Sequence, residues 1–80
     1  NLYPNPVVDN AIFEINLGKA AIISLKIVSI NGQVVKSIPA TQLVKGINKI
    51  ELSTGNYAPG VYMLMSEING EAKIAKFIKQ

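Results

Sequence analysis

The stretch AIISLKIVSINGQVVKSI (Ala21–Ile38) decides how this chain folds. Ile23, Leu25 and Ile27 alternate with Ser24 and Lys26, so an extended segment would present one apolar and one polar face. Asn31-Gly32 follows, a dipeptide that accepts the positive φ angles of a type I′ turn and predicts a tight hairpin. Gln33–Ile38 reads as the return strand, and Pro39 reads as its stop.

Working outward, the same period of two recurs. Ala11, Phe13, Ile15 and Leu17 share a face opposite Glu14 and Asn16, and Gly18-Lys19 makes a turn. Lys45–Leu52 is a further strand, followed by the turn-rich Ser53–Gly60. Val61–Ile68, Asn69-Gly70 and Glu71–Lys79 repeat the hairpin pattern. The two Asn-Gly sites share the form Ile-Asn-Gly-polar, but their flanks do not match at a fixed period, so they are two hairpins and not a repeat array. Pro39–Lys45 has room for one helical turn at most. Six or seven short strands in 80 residues imply an all-β fold: a small antiparallel immunoglobulin-like β-sandwich. The Cys-Trp-Cys pattern of antibody domains is missing, so the pattern specifies architecture only.

Composition bounds the rest. With 49% hydrophobic and 16% charged residues the chain can bury a core and is not disordered. It has no cysteine, so packing alone must supply about 4–12 kcal/mol of stability. Absence of cysteine does not place a protein inside the cell. No transmembrane run interrupts the pattern, and no membrane insertion is expected. Beginning at Asn1 with no initiator Met, the chain reads as a single domain cut from a longer protein. The net charge of +3 comes from lysines spread along the sequence, with no arginine and few aromatics, which disfavours a nucleic-acid surface.

Catalytic readings find little support. Without His or Cys, the common general base, the thiolate nucleophile and the usual metal ligands are all absent. Glu67 and Glu71 flank the Asn69-Gly70 turn, where solvated charges are expected, and so are a poor carboxylate pair. A single Asp with scattered Glu does not make a calcium site, and no cofactor is expected. Tyr57 and Tyr62 suit either a sugar-binding surface or ordinary sheet packing.

Three features remain. Tyr3-Pro4-Asn5-Pro6 holds Tyr3 and Asn5 extended and deletes donors at alternate positions, which predicts a stiff strand guarding a sheet edge. Val61–Leu64 is apolar on both faces, consistent with core on one side and either neighbouring side chains or a docking surface on the other. In the last strand Lys73 and Lys79 share a face and Lys76 lies opposite, among Phe77 and Ile78. Lysine on an edge strand blocks unwanted pairing, and it also suits a basic recognition strand.

Taken in order, Tyr3-Pro4-Asn5-Pro6, Asn31-Gly32-Gln33-Val34-Val35, Pro59-Gly60-Val61-Tyr62 and the Lys-rich final strand span the whole chain. Together they resemble the type A C-terminal sorting domain of the type IX (Por) secretion system of Bacteroidetes. Gln33 stands where arginine is common in that family, and Met63 and Met65 where aromatic or β-branched residues are frequent. The resemblance implies a secretion address at the end of a larger exported protein and no catalysis. It implies recognition by the outer-membrane translocon and a PorV-like shuttle barrel. It also implies cleavage ahead of Tyr3-Pro4-Asn5-Pro6 by a PorU-like sortase, with passage through the periplasm to the cell surface or medium. Lys73, Lys76, Phe77, Ile78 and Lys79 are the expected recognition residues, and the domain itself is expected to be monomeric. The competing reading is an accessory immunoglobulin-like spacer or a carbohydrate-binding module.

Overall fold

Strands that are apolar on alternate residues must be covered on one face, and here two sheets cover each other. The computed structural model describes all 80 residues, Asn1–Gln80. It has seven strands: β1 (Leu2–Tyr3), β2 (Asn10–Leu17), β3 (Ala21–Ser29), β4 (Val34–Leu43), β5 (Gly46–Ser53), β6 (Gly60–Ile68) and β7 (Glu71–Lys79). They form a three-stranded sheet, β1-β2-β5, and a four-stranded sheet, β4-β3-β6-β7, with every neighbouring pair antiparallel. This is the expected sandwich. Its fourth strand stays beside β3, whereas constant-type immunoglobulin domains place theirs in the opposite sheet.

The core is the inward set of that alternation. Ala11 and Phe13 of β2 and Leu52 of β5 meet Ile23, Leu25 and Ile27 of β3, Tyr62 and Leu64 of β6, and Phe77 of β7. Ser24 is half-buried and Lys26 exposed on the outer face of β3, as their alternation requires. Val7, from the segment between β1 and β2, is also fully buried in this cluster.

Pro39 does not end its strand. β4 continues through it to Leu43, and the pairing slips between Ile23↔Thr41 and Leu25↔Ile38. Pro39 and Ala40 therefore stand against Ser24 alone, a bulge on an edge strand where a missing N–H breaks no ladder. Of the segment with room for a helical turn, Pro39–Leu43 is strand, and Val44-Lys45 connects it to β5.

The two Asn-Gly hairpins also differ. Asn69 (φ 49°) and Gly70 (φ 87°) are both left-handed and join the paired residues Ile68 and Glu71, as a type I′ turn requires. In the first hairpin only Gly32 (φ 88°) is left-handed. Gly32 N donates to Ser29 O at 2.9 Å and Ser29 N to Gln33 O at 2.8 Å, closing a three-residue loop instead of a two-residue one. The Ser29 hydroxyl bonds the Asn31 carboxamide and accepts Gln33 N at 3.2 Å. These local bonds tie the Asn31 side chain to Ser29, and Asn31 keeps a negative φ where Asn69 does not.

The opening segment is not the straight edge strand its prolines suggest. β1 ends at Tyr3, and the Tyr3–Pro4 and Asn5–Pro6 peptide bonds are cis. The chain then leaves the three-stranded sheet and reaches the four-stranded one, where Val7 bridges Lys79 in parallel. With no N–H on Pro4 or Pro6, neither residue can extend the β1 ladder.

Candidate functional site

The four sequence motifs lie far apart in the chain and meet at one end of the four-stranded sheet. Strand register brings them there: Ser29 pairs with Tyr62, Tyr62 with Phe77, Gly60 with Lys79, and Lys79 bridges Val7. Asn69-Gly70 closes the opposite end.

Each motif has a definite part. In Tyr3-Pro4-Asn5-Pro6, the Tyr3 hydroxyl donates to Glu14 Oε1 at 2.9 Å, tying β1 across β2. That hydrogen bond, with partial desolvation and the Glu14 charge, raises the Tyr3 phenol above its ordinary value. Pro4 and Pro6 are exposed. The Asn5 side chain accepts Ile78 N at 3.3 Å. Immediately after it, Val7 N donates to Ile78 O at 2.7 Å and Gln80 N to Val7 O at 2.8 Å. The beginning of the chain is thereby fastened to its last strand.

Pro59-Gly60-Val61-Tyr62 starts β6. The Tyr62 hydroxyl donates to Ala58 O at 2.6 Å, closing the loop before the strand on itself. Its ring stacks on Phe77 (centroids 5.6 Å apart, 19° between planes) and meets Tyr57 at 5.4 Å. Tyr62 is therefore core, and the Tyr57–Tyr62 pair is not an exposed sugar platform. Val61 and Met63 occupy the outer face of β6, half-buried, with Val28 and Ile78 as cross-strand neighbours. Asn31 and Gln33, on the first hairpin, line a shallow cavity of 550 Å³ together with Tyr57, Ala58 and Tyr62. The Tyr57 hydroxyl is buried there without a hydrogen-bond partner, and burial, with Tyr62 beside it, raises its pKa.

The five residues singled out on β7 divide by face. Phe77, 1% exposed, and Lys79, 7% exposed, point inward. Lys79 Nζ donates to Gln80 O at 2.6 Å. Lys73 shares that face but sits at the open end, exposed, while Lys76 and Ile78 (49% exposed) lie on the outer face with Ile74 (62%). Of the set, Lys73, Lys76 and Ile78 are accessible to a partner; Phe77 and Lys79 act on the strand's position.

No group of three His, Cys, Asp or Glu side chains stands close enough to hold a metal ion, and no helix is long and apolar enough to cross a membrane. The family model of the secretion system C-terminal sorting domain matches residues 1–80. The chain belongs to this family. It is thus a type IX secretion sorting signal, from a family of addresses rather than catalysts. Membership implies dealings with the type IX machinery and export to the cell surface or beyond. No curated protein sequence matches the chain.

Three residues that complete this sorting domain have no signal in the sequence pattern. Val7 is one apolar residue in an irregular segment, with no period to mark it as core. Thr54 is fully buried and donates both N (2.8 Å) and Oγ1 (3.0 Å) to Asp9 O, pinning the loop before β6 to the segment before β2. Neither Thr54 nor Asp9 is apolar, so only tertiary contact reveals them.

Proposed function

We propose that this domain is the address of a larger exported protein, presented to the outer-membrane translocon and a PorV-like shuttle barrel by β7. Transit is through the periplasm, and a PorU-like sortase cuts ahead of Tyr3-Pro4-Asn5-Pro6. The observation that carries the reading is the convergence of the four motifs at the end of the four-stranded sheet where β7 finishes, which fastens that strand in place. In a spacer, the last strand would need only to fill the core. Here its inner face does so through Phe77, while Lys76, Ile78 and Lys73 stay accessible.

The test is a periplasmically exported reporter fused to the domain. Removing Lys76–Gln80 traps the reporter in the periplasm, but it also removes Phe77 from the core. The paired substitution Lys76→Glu with Ile78→Ser alters only half-exposed or exposed side chains and is the cleaner variant. We expect it to lower surface delivery at least tenfold with the fold intact by circular dichroism. Unchanged delivery of this folded variant would contradict the reading.

A further inference from the structure

Of the four sheet edges, two are blunted by proline. β1 is two residues long and runs into Pro4 and Pro6; β4 carries Pro39 and slips register twice. β5 is regular, with Lys49 and Glu51 of opposite sign along it. β7 is nine residues long, regular in its pairing with β6, free of proline, and unpaired along most of its outer edge. An edge of this kind is a template for another strand, and its exposed Lys73 and Lys76 deter pairing except with a strand that carries opposite charge.

The chain itself uses the edge that way. Ile78 N and O point away from β6, toward Asn5 and Val7, and Val7 occupies only the last turn of the ladder. Strand groups repeat every second residue, so the N–H and C=O of Ala72, Ile74 and Lys76 face the same side, without partners in the chain. Below this edge the two sheets gape. A groove of 220 Å³ has an apolar floor of Phe13, Ile15, Leu64, Ile68 and Ala75, and Asn1, Glu14, Ser66 and Lys73 add polar groups to its lining. A strand added to β7 would drop its inward side chains into that groove. Its outward side chains would neighbour Ile74, Lys76 and Ile78, two exposed isoleucines around one lysine.

We infer that β7 binds its partner by strand addition along Ala72–Lys76. The occupant is an extended segment of another protein, apolar at most positions with a carboxylate opposite Lys76. Main-chain bonds give the contact its strength, the groove gives its inward side, and Lys76 selects the charge. This rests on the reading of β7 as the recognised strand and names how it is read.

The test uses the 80-residue chain, isotope-labelled, titrated with the acetylated and amidated peptide Ser-Val-Ile-Glu-Val-Thr and with its Lys-for-Glu counterpart. Amide exchange at Ala72, Ile74 and Lys76 slows with the Glu peptide, which binds at least fivefold more tightly than the Lys peptide. Lys76→Glu reverses that order while leaving the backbone ladder in place. Ile74→Pro removes one outward donor, keeps the β6 pairing, and abolishes both the protection and reporter export. Protection that grows with protein concentration in the absence of peptide would overturn the inference in favour of a second copy on the edge. Export of a folded Ile74→Pro fusion at the parental level, with Lys76→Glu/Ile78→Ser still trapped, would overturn strand addition and leave the sorting role standing. Normal export of both fusions would remove the underlying reading as well.

Discussion

Two tyrosines five residues apart show how position decides what a hydroxyl is worth. Tyr62 donates to Ala58 O at 2.6 Å, while the Tyr57 hydroxyl is buried without a partner. Tyr62→Phe should therefore cost about 1 kcal/mol, because one made hydrogen bond is lost. Tyr57→Phe should be neutral or stabilising by about 1 kcal/mol, because a desolvated polar atom is removed. Urea denaturation of the two variants checks the contrast. The same site sets a pH dependence. Burial and Tyr62 raise the Tyr57 pKa, and Glu14 raises that of Tyr3, so the folded chain holds both phenolic protons to higher pH than the unfolded chain does. The fold is at its full stability with respect to both groups below the ordinary tyrosine value of 10.0, and it loses stability as pH rises from there through the folded values, because the unfolded chain ionises first. A Tyr3→Phe/Tyr57→Phe protein should lose less stability between neutral and strongly alkaline pH than the parent, by the midpoint of urea unfolding. From the sequence, Tyr57 and Tyr62 are interchangeable; only the loop that brings Ala58 O to Tyr62 separates them.

At the scale of elements, alternation made β2, β3, β6 and β7 legible, because period-two burial leaves one consistent inward set. Local turn chemistry was less decisive. The two Ile-Asn-Gly sites have the same core sequence, yet Ser29 captures Asn31 in one, while in the other Asn69 N donates to Ile22 O at 3.1 Å and Asn69 Oδ1 accepts Ile22 N at 3.2 Å. Pro39 reads as a stop because sequence alone does not say that β4 is an edge with a bulge. The prolines of the opening segment do keep its backbone off a ladder. What replaces the ladder is a clasp, in which Asn5 and Val7 hold Ile78 and Gln80. Asn5→Ala removes the acceptor for Ile78 N alone. Hydrogen exchange should accelerate roughly fivefold at Ile78, the equivalent of about 1 kcal/mol, while Gln80, bonded to Val7 O, stays protected. Equal acceleration at both amides would mean that the clasp opens as one unit through Asn5.

For the whole molecule, the fold class and the family were both readable, since strand alternation and four ordered motifs survive without any coordinates. Their meeting place was not. Nothing in the spacing of Asn5, Tyr62 and Phe77 says that all three motifs close on the end of a single sheet. Cross-strand register does that, and register depends on the bulges and turns that sequence specifies least. The same register explains why β7 divides into buried and exposed residues: Phe77 anchors it while Lys76 and Ile78 face outward. As a sorting signal, this domain should by itself suffice to send a protein to the surface by type IX secretion. The most direct measurement is the surface-exposed fraction of a periplasmic reporter carrying residues 1–80 at its C-terminus, compared between a host with the secretion system and the same host lacking its translocon. Surface delivery is expected in the first host and periplasmic retention in the second. Equal delivery in both hosts, or retention in both, would contradict that role.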